Sequence, residues 1–359
     1  MAWLATFTHR RGPRRLLPAA FPAEMARGSL CIEILSPGPV PRGHWLLGHN
    51  DPAAGWWIAL DILADGGVRL ATSRDGQDLS LTLSGWVDSV ANRTRLTFSW
   101  DAAAGRSLLT LEDPATGAVR QSELAMALPV PGRALEGLFT APLARRDGAA
   151  AWFAAASHVH CPGPCPGLAA GTRIDTPDGP LPVEALRPGM TVTTLDAGPQ
   201  PVIWSGRMTA PASGMFTPLR LAAACFGCED DLILAPHQRI LLKGLDLEDA
   251  TGRERALAEL RHLVDEAAVR PDPQAPVMTW HGLMLAGHHL VLAGGLAVET
   301  LFAGSLARRP ALAATTLFAD LAAKGALPLH RRPCLPDLHG CEARALAAMR
   351  MRARGPLAA

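Results

Sequence analysis

A run of short strands separated by Pro and Gly corners, from Gly167 to Gly206, constrains the fold of this chain more than any other feature. Residues 172–176 read as a strand, Pro177-Asp178-Gly179-Pro180 as a tight turn, and residues 181–183 as a strand that pairs back. The remaining elements of the run are a helical turn at 184–186 and strands at 190–195 and 200–204. So many short strands with a corner between each pair predict a compact, strongly bent all-β domain.

Two later blocks continue this pattern in a fixed order. The first block contains GTRIDTPDGPLPVEALRPG, the central block is FTPLRL…DLILAPHQRILL within residues 216–242, and the closing block is HHLVLAGGLAVETLFAG at residues 288–304. Together they resemble the Hint (Hedgehog/intein) domain, and in particular the bacterial Hint group found behind β-sandwich or calcium-binding repeat regions. The resemblance predicts an all-β Hint domain over residues 167–305.

The resemblance implies self-cleavage rather than turnover of an external substrate. In members that react, a Cys, sometimes a Ser, at the first residue of the domain attacks the preceding carbonyl, which is an N-to-S acyl shift when the residue is Cys. A His from the central block protonates the departing nitrogen. The family pattern Cys-Phe-x-x-Gly-Thr maps onto residues 167–172, so the nucleophile position is Gly167, which has no side chain to attack with. Cys165 can replace it only if the strand slips and the scissile bond starts at Pro164.

The central block departs from the family pattern as well. Ser-Pro-Gln-His-Arg becomes Ala235-Pro236-His237-Gln238-Arg239, so the His stands one place early. On a strand this shift turns the side chain to the opposite face, and His237 then reaches the site only if the corner at Pro236 is irregular. The pair His288-His289 is a second source of a base, with a structural role as its alternative. The expected function is an autoprocessing-family protein that is weakly active or inactive, with Cys165 and His237 as catalytic candidates.

Residues 28–151 show a different β pattern. Alternating runs at 56–63, 68–72, 79–83, 94–100 and 107–112 are separated by turn residues such as Asp65-Gly66-Gly67. This spacing is typical of an antiparallel β-sandwich, and the segment resembles a laminin-G-like, concanavalin-type jelly roll. The predicted fold class is therefore mainly β: an N-terminal sandwich, a Hint domain and a short helical tail.

Sandwiches of this kind often bind sugars through Trp stacking next to Asp and Asn side chains. The residues available for such a site are Trp56, Trp57, Trp86, Asp61, Asp65 and Asp101. The alternative is that the tryptophans are core residues and the aspartates form turns. A second function, recognition of a glycan or surface ligand with the Hint fold as scaffold, rests on this set.

Three segments flank these domains. Residues 1–27 are Pro- and Arg-rich and predict a flexible tail, and residues 152–166, ending in SHVHCPGPCP, predict a Pro/Gly linker. Residues 306–359 predict a helical segment with two helices, one in the Ala/Leu-rich stretch 310–324 and one at 341–354.

Composition excludes several partners and cofactors. The net charge of +1 gives no reason to expect nucleic acid, and the basic cluster at residues 9–15 is interpreted as a solvated arm. No apolar run approaches the about 20 residues that span a bilayer. The order of apolar and basic residues at the start differs from that of a secretory signal, which favours the cytoplasm or a non-classical export route. No glycine-rich phosphate loop is present, so no cofactor is predicted.

The seven cysteines are an odd number on a long chain, which argues against a disulfide framework. Cys161, Cys165, Cys225 and Cys228 form two close pairs that suit a four-thiolate zinc site. Cysteines in apolar runs such as LAAACFGC are also typical of small buried side chains. No metal is predicted, and zinc at these four cysteines is the open alternative.

Overall fold

The computed structural model describes residues 2–18, 20–35, 43–84, 93–113, 117–265 and 267–354. The chain divides into two compact units, Met1–Gly163 and Pro164–Ala359. Strands dominate both units, so the fold class is mainly β, as predicted.

The first unit is built from two larger antiparallel sheets. Among the described residues, a seven-stranded sheet has the order β11-β10-β9-β4-β14-β1-β2, a five-stranded sheet the order β13-β5-β6-β7-β8, and β12 pairs with β3. The strands are β1 (Trp3–Thr8), β2 (Gly12–Arg15), β3 (Glu24–Met25), β4 (Arg27–Leu35), β5 (His44–Asp51), β6 (Trp56–Ile62), β7 (Val68–Arg74), β8 (Gln77–Leu83), β9 (Arg93–Asp101), β10 (Arg106–Asp113), β11 (Ala118–Leu124), β12 (Val130–Pro131), β13 (Arg145–Arg146) and β14 (Ala150–Ala156), with helix α1 (Gly132–Thr140).

A single core lies between the two large sheets. Leu30 and Ile32 of β4 and Phe98 of β9 belong to the same buried cluster as Leu60 and Ile62 of β6. Side chains of one face of each sheet therefore interdigitate, which is the packing of a β-sandwich. The predicted alternating runs coincide with β6 to β10, so the antiparallel sandwich is confirmed.

The expectation that residues 1–27 form a flexible tail is wrong for the N-terminal strand. Residues 3–8 form β1, which pairs with β14 from Trp3 opposite Ala156 to Thr8 opposite Trp152. Trp3 is only 2% exposed, and Phe7 stacks on Phe153 with ring centroids 4.9 Å apart. The apolar run WLATF is thus a strand of the seven-stranded sheet, because burial of its side chains outweighs the entropy of ordering a chain end.

The segment expected to be a linker, residues 152–166, is also largely part of the sandwich. Its first residues belong to β14, and the His160 N–H donates to Ser29 Oγ at 2.8 Å. The Gly163 N–H donates to Glu112 Oε1 at 2.7 Å, and Glu112 in turn pairs with Arg95. Pro and Gly density predicted flexibility here, but buried polar partners on the sheet fix the backbone as far as Gly163.

The second unit has one continuous, strongly bent antiparallel sheet. Its described strands follow the order β23-β22-β27-β26-β18-β19-β25-β15-β21-β20-β24, with β16 joining β17 and β26. They are β15 (Leu168–Ala169), β16 (Arg173–Ile174), β17 (Leu181–Pro182), β18 (Thr191–Thr194), β19 (Gly198–Pro211), β20 (Leu219–Leu221), β21 (Leu232–Leu234), β22 (Arg239–Lys243), β23 (Arg255–Glu259), β24 (Val269–Pro271), β25 (Val277–Leu285), β26 (Leu290–Ala293) and β27 (Leu296–Glu299).

The predicted elements of the first block are present in this sheet. β16, β17 and β18 lie inside the predicted strands, and a 3₁₀ turn at Val183–Ala185 stands where one helical turn is expected. Gly179 has a φ of 105°, a left-handed conformation that explains why glycine is needed in the Pro-Asp-Gly-Pro turn. The corners therefore bend the sheet as the sequence indicates.

The C-terminal segment is helical but more broken than expected. Helix α2 (Leu245–Thr251) precedes it, and it contains α3 (Pro310–Ala313), α4 (Ala319–Ala323) and α5 (Gly340–Arg354). The single helix expected over 310–324 is interrupted because the hydroxyls of Thr315 and Thr316 donate to the carbonyls of Leu312 and Ala313 and so end α3. Helix α5 coincides with the second predicted helix.

Candidate functional site

Gly167 lies at the start of the bent sheet and is fixed on both sides. Its carbonyl accepts a hydrogen bond from the Ala235 N–H at 2.8 Å. The next residue, Leu168, pairs with Leu234 of β21 and with His281 of β25. The peptide bond between Pro166 and Gly167 therefore enters the sheet between two strands, at the position where a first-residue nucleophile is expected.

The space beside Gly167 is filled by Gln238. A Cβ added at position 167 would lie 2.5 Å from Gln238 Oε1 and 3.1 Å from Gln238 Cβ. The same amide is anchored through Nε2, which donates to the carbonyl of Glu299 at 3.1 Å and to that of Arg239 at 3.3 Å. A side chain at position 167 and the observed position of Gln238 exclude each other.

His237 contacts the backbone just before Gly167. Its Nε2 lies 3.0 Å from the Cys165 carbonyl oxygen and 3.2 Å from that of Pro166. A carbonyl oxygen only accepts, so Nε2 carries the hydrogen and the imidazole is a donor to this segment. An N–H aimed at a carbonyl oxygen polarises the C=O bond, which is what attack on that carbonyl requires.

The expectation that His237 faces away from the site applies to a strand, and His237 is not on one. β21 ends at Leu234, and the Gln238 N–H donates to the Ala235 carbonyl at 3.0 Å, which closes a turn around Pro236 and His237. The irregular corner at Pro236 brings His237 to the segment 165–166, while the next residue, Gln238, reaches Gly167. Sequence reasoning did not assign a role to Gln238, although it occupies the family's His position.

Cys165 lies two residues before Gly167 and is half-buried. An attack by its thiol in the manner of the family requires the carbonyl of Pro164. The two carbonyls that His237 contacts belong to residues 165 and 166 instead. The structure thus brings Cys165 and His237 together through the Cys165 backbone, and His237 also contacts the Pro166 carbonyl, the carbonyl that precedes Gly167.

The pair His288-His289 has structural partners. His288 Nδ1 accepts the Cys334 N–H at 2.9 Å, and Nε2 lies 3.1 Å from the Thr300 carbonyl oxygen and 3.2 Å from a Glu299 carboxylate oxygen. Burial lowers the pKa of His288, but interactions with the side chains of Cys334 and Glu299 outweigh burial and raise this pKa to about 9. His289 Nδ1 lies 3.0 Å from Asp196. Both histidines join strands and loops, which is the structural alternative given above.

A cluster of charged side chains, partly buried, lies at the strand end to which Gln238 is bonded. Arg239 lies 3.4 Å from Glu299, 3.5 Å from Asp337 and 4.0 Å from Glu259. These three carboxylates outweigh burial and raise the Arg239 pKa. Burial raises the pKa of Glu259 to about 7, against the opposing charges of Arg261 and Arg239. Because Asp337 follows the Hint region, the C-terminal segment takes part in holding this site.

The cysteines of the open zinc alternative are thiols in the structure. Within the ranges that the structure describes, no three His, Cys, Asp or Glu side chains are placed to hold a metal ion. Cys228 is instead 4% exposed and belongs to the apolar core, where burial raises the pKa of its thiol to about 12. Burial therefore disfavours the thiolate form of Cys228 that zinc ligation requires.

Most of the predicted ligand residues of the sandwich have structural roles. Trp56 is buried in the core, and Asp61 forms an ion pair with Arg69 at 2.9 Å. Asp65 accepts the Gly67 N–H at 2.8 Å. Asp101 similarly accepts the Ala104 N–H at 3.0 Å, so both are turn-forming side chains.

Two residues of that ligand set remain. Trp57 is half-buried, and Trp86 lies outside the described residues. An aromatic side chain that sequence reasoning missed, Trp45 on β5, is 53% exposed.

Residues 166–305 match the family model of the Hint domain. No curated protein matches the chain. Among the helices that the structure describes, none combines the length and the apolar character needed to cross a membrane.

Solved structures similar to this chain include a splice-inactive variant of the AceL NrdHF class 3 split intein, 12% identical with a TM-score of 0.25, over 38% of this chain and 98% of that chain. A pentraxin from Limulus polyphemus is 8% identical with a TM-score of 0.22, over 43% of this chain and 57% of that chain. Tailspike protein 2 of Escherichia coli O157:H7 bacteriophage CAB120 is 13% identical with a TM-score of 0.23, over 43% of this chain and 22% of that chain.

Proposed function

Because the chain carries a Hint domain over residues 166–305, we propose that it is an autoprocessing-family protein whose self-cleavage site is closed. The Pro166–Gly167 bond is expected to stay intact, and the domain remains joined, uncleaved, to the sandwich that precedes it in the chain. The observation that carries this proposal is the Gln238 amide, which fills the space that a nucleophilic side chain at position 167 needs.

Self-cleavage at Pro166–Gly167 has three chemical requirements. A nucleophile must attack the Pro166 carbonyl carbon, the carbonyl oxygen must be stabilised as charge develops, and a proton must reach the departing nitrogen of residue 167. The His237 N–H, 3.2 Å from the Pro166 oxygen, supports the second requirement. Gly167 supplies nothing for the first, so the polarised carbonyl is not attacked by a neighbouring side chain.

The Gln238 side chain does not meet the third requirement, which is a proton donor to the departing nitrogen of residue 167. In the family pattern Ser-Pro-Gln-His-Arg the fourth residue is His, and here that position holds Gln238, an amide whose oxygen faces Gly167. A carboxamide does not exchange protons near neutral pH, so it is no substitute for imidazole as a general acid. The loss of nucleophile and acid together supports an inactive rather than a weakened domain.

Weak cleavage through Cys165 is the competing hypothesis. Its thiol is a suitable nucleophile, but its target is the Pro164 carbonyl, one peptide before the two carbonyls that His237 contacts. The alignment of His237 therefore favours an intact chain over cleavage from Cys165.

Intact mass of the freshly purified chain, before and after incubation with dithiothreitol, tests the proposal. We expect a single species of 37.9 kDa in both samples. Cys165→Ala and the neighbouring Cys161→Ala serve as a matched pair, because only the first removes the competing nucleophile. Fragments that start at Gly167, or fragments that start at Cys165 and vanish in Cys165→Ala alone, would refute the closed site.

A further inference from the structure

The loop between β20 and β21 carries two cysteines at the two ends of one tight turn. The Cys228 N–H donates to the Cys225 carbonyl at 3.0 Å. The two central residues have positive φ, 55° at Phe226 and 91° at Gly227. Positive φ at both central positions defines a type I′ β-turn, so the cysteines are its first and fourth residues.

This turn brings the two cysteines within reach of a disulfide. The first and fourth Cα atoms of a β-turn lie less than about 7 Å apart, and disulfides join Cα atoms about 4.4–6.8 Å apart. Both side chains pack against the same apolar cluster, and the Cys225 thiol lies close enough to contribute to the raised pKa of Cys228. The structure contains both as thiols.

The surrounding fold holds the turn in this shape. The Ala224 N–H donates to the Cys228 carbonyl at 2.9 Å, and the Glu229 N–H donates to the Gly294 carbonyl at 2.9 Å. Phe226 adopts a left-handed conformation that side chains other than glycine rarely take. A non-glycine residue persists there only when neighbouring contacts enforce it, and the Arg350 guanidinium lies 6.0 Å from the centre of its ring.

We propose that Cys225 and Cys228 are a redox-active pair that closes to an intramolecular disulfide in the folded domain, with a low-molecular-weight disulfide as oxidant. Cys225 is the more exposed of the two and reacts first: its thiolate attacks one sulfur of the external disulfide and expels one thiol. The Cys228 sulfur then attacks the Cys225 sulfur and expels the second thiol. The two cysteines lose two electrons and two protons, and the external disulfide becomes two thiols.

The order of the two steps follows from burial. Cys228 is 4% exposed and its thiol has a pKa of about 12, so it is a poor attacking group toward an oxidant in solution. Once Cys225 carries a mixed disulfide, the same turn presents its sulfur to Cys228 at a high effective concentration. The structure thus assigns Cys225 as the attacking and Cys228 as the resolving cysteine.

Titration of the folded chain with 2-hydroxyethyl disulfide and 2-mercaptoethanol tests this proposal. The tryptic peptide of residues 221–239 holds these two cysteines and no other, so mass spectrometry of that peptide reports on the pair alone. We expect a loss of about 2 Da in the peptide and no lasting hydroxyethyl adduct. We also expect the equilibrium constant for closure to be at least about tenfold larger in the folded chain than in guanidinium chloride.

Three serine variants distinguish the attacking cysteine from the resolving cysteine. Cys228→Ser is expected to accumulate the mixed disulfide on Cys225, Cys225→Ser to form neither product, and Cys341→Ser, a change outside the loop, to behave as the unaltered chain. A lasting adduct on Cys225 in the unaltered chain, or a closure constant no larger in the folded than in the unfolded chain, would overturn the proposal. These outcomes do not depend on whether the Pro166–Gly167 bond is cleaved.

Discussion

Gln238 and Gly167 compete for one volume: a Cβ at position 167 would stand 2.5 Å from the Gln238 side-chain oxygen. The neighbouring His237 contacts the carbonyls of residues 165 and 166 instead. The residues at positions 167 and 238 are therefore sterically coupled, so a side chain at position 167 requires the residue at 238 to move or to change. Full reactivity is therefore expected only when both residues are changed, because either change alone leaves the nucleophile or the general acid missing.

The double variant Gly167→Cys/Gln238→His is expected to gain thiol-dependent cleavage at Pro166–Gly167. It supplies a thiol at the position of attack and an imidazole in place of the amide, while His237 still polarises the Pro166 carbonyl. The measurement is intact mass before and after dithiothreitol, with sequencing of the new N-terminus.

Gly167→Cys alone is expected to cleave at least about tenfold more slowly, because the general acid is missing and Gln238 must move. The matched control is Gly167→Ala/Gln238→His, which has the same crowding and no nucleophile. Cleavage in that control, or equal rates in the single and double variants, would show that the Gln238 position is not what closes the site.

The N-terminal strand gives a prediction about stability. Trp3→Ala is expected to lower the free energy of unfolding by about 3 kcal/mol, since it removes a large side chain that is 2% exposed and packs edge-on against His160 with ring centroids 5.3 Å apart. Arg10→Ala, at an exposed turn position, is the control and should change stability by no more than about 0.5 kcal/mol. Urea unfolding measures both. Equal effects of the two substitutions would restore the interpretation of residues 1–27 as a tail.

The N-terminal strand β1 and the other strands of the sandwich differ in how far the sequence predicts them. β6, β7 and β8 follow one another through short turns, as do β9 and β10, so alternation and turn residues suffice to identify them. β1 has a partner, β14, about 145 positions later in the chain, and nothing in the short run WLATF identifies that partner. Segments whose burial depends on such a distant strand look like disordered ends when read locally.

The candidate site is likewise predicted from the sequence only in part. The sequence alone shows that Gly167 has no nucleophilic side chain and that the His stands one place early. Both are departures from the Hint-family pattern at positions that the pattern fixes. The position of the Gln238 side chain depends on the Glu299 carbonyl, 61 residues later, to which its amide donates. Strand periodicity alone leaves the position of His237 dependent on the shape of the corner at Pro236, and that corner is a turn closed by the Gln238 N–H and the Ala235 carbonyl.

The ion pair of Arg95 and Glu112 gives a second stability test. Both side chains are nearly buried, 4% and 6% exposed, and Glu112 also accepts the Gly163 N–H at 2.7 Å. Glu112→Ala leaves Arg95 without its carboxylate and Gly163 without its acceptor, so we expect a loss of about 3 kcal/mol or more in the free energy of unfolding.

The double variant Arg95→Met/Glu112→Leu removes both charges and is expected to be less damaging than Glu112→Ala. Urea unfolding of Arg95→Met, of Glu112→Leu and of the double variant gives the coupling energy of the pair. If the double variant is as unstable as the sum of the singles, the pair is not coupled and residues 157–163 are held by other contacts.

Glu259 gives a pH-dependent prediction. Burial raises the pKa of its carboxyl from 4.5 to about 7, so between these pH values the folded chain binds a proton that the unfolded chain has lost. The free energy of unfolding therefore decreases as pH rises from about 4.5 to 7, by at most about 1.4 kcal/mol per pH unit. His288 acts in the same direction at higher pH. Its pKa is raised from 6.5 to about 9, so its contribution is complete below pH 6.5 and is lost as pH rises through 9.

Glu259→Gln removes the titration of residue 259 and keeps that of His288, so His288 serves as an internal control. We expect the variant to have a flatter dependence of unfolding free energy on pH between 4.5 and 7 and an unchanged decrease above pH 7, measured by urea unfolding at closely spaced pH values. At pH 5 the amide resembles the protonated carboxyl, so the variant should match the unaltered chain within about 1 kcal/mol. A large loss of stability at pH 5 would instead mean that Glu259 is ionised there, held by Arg261 at 2.5 Å. In that case the two guanidinium groups, rather than burial, control its charge.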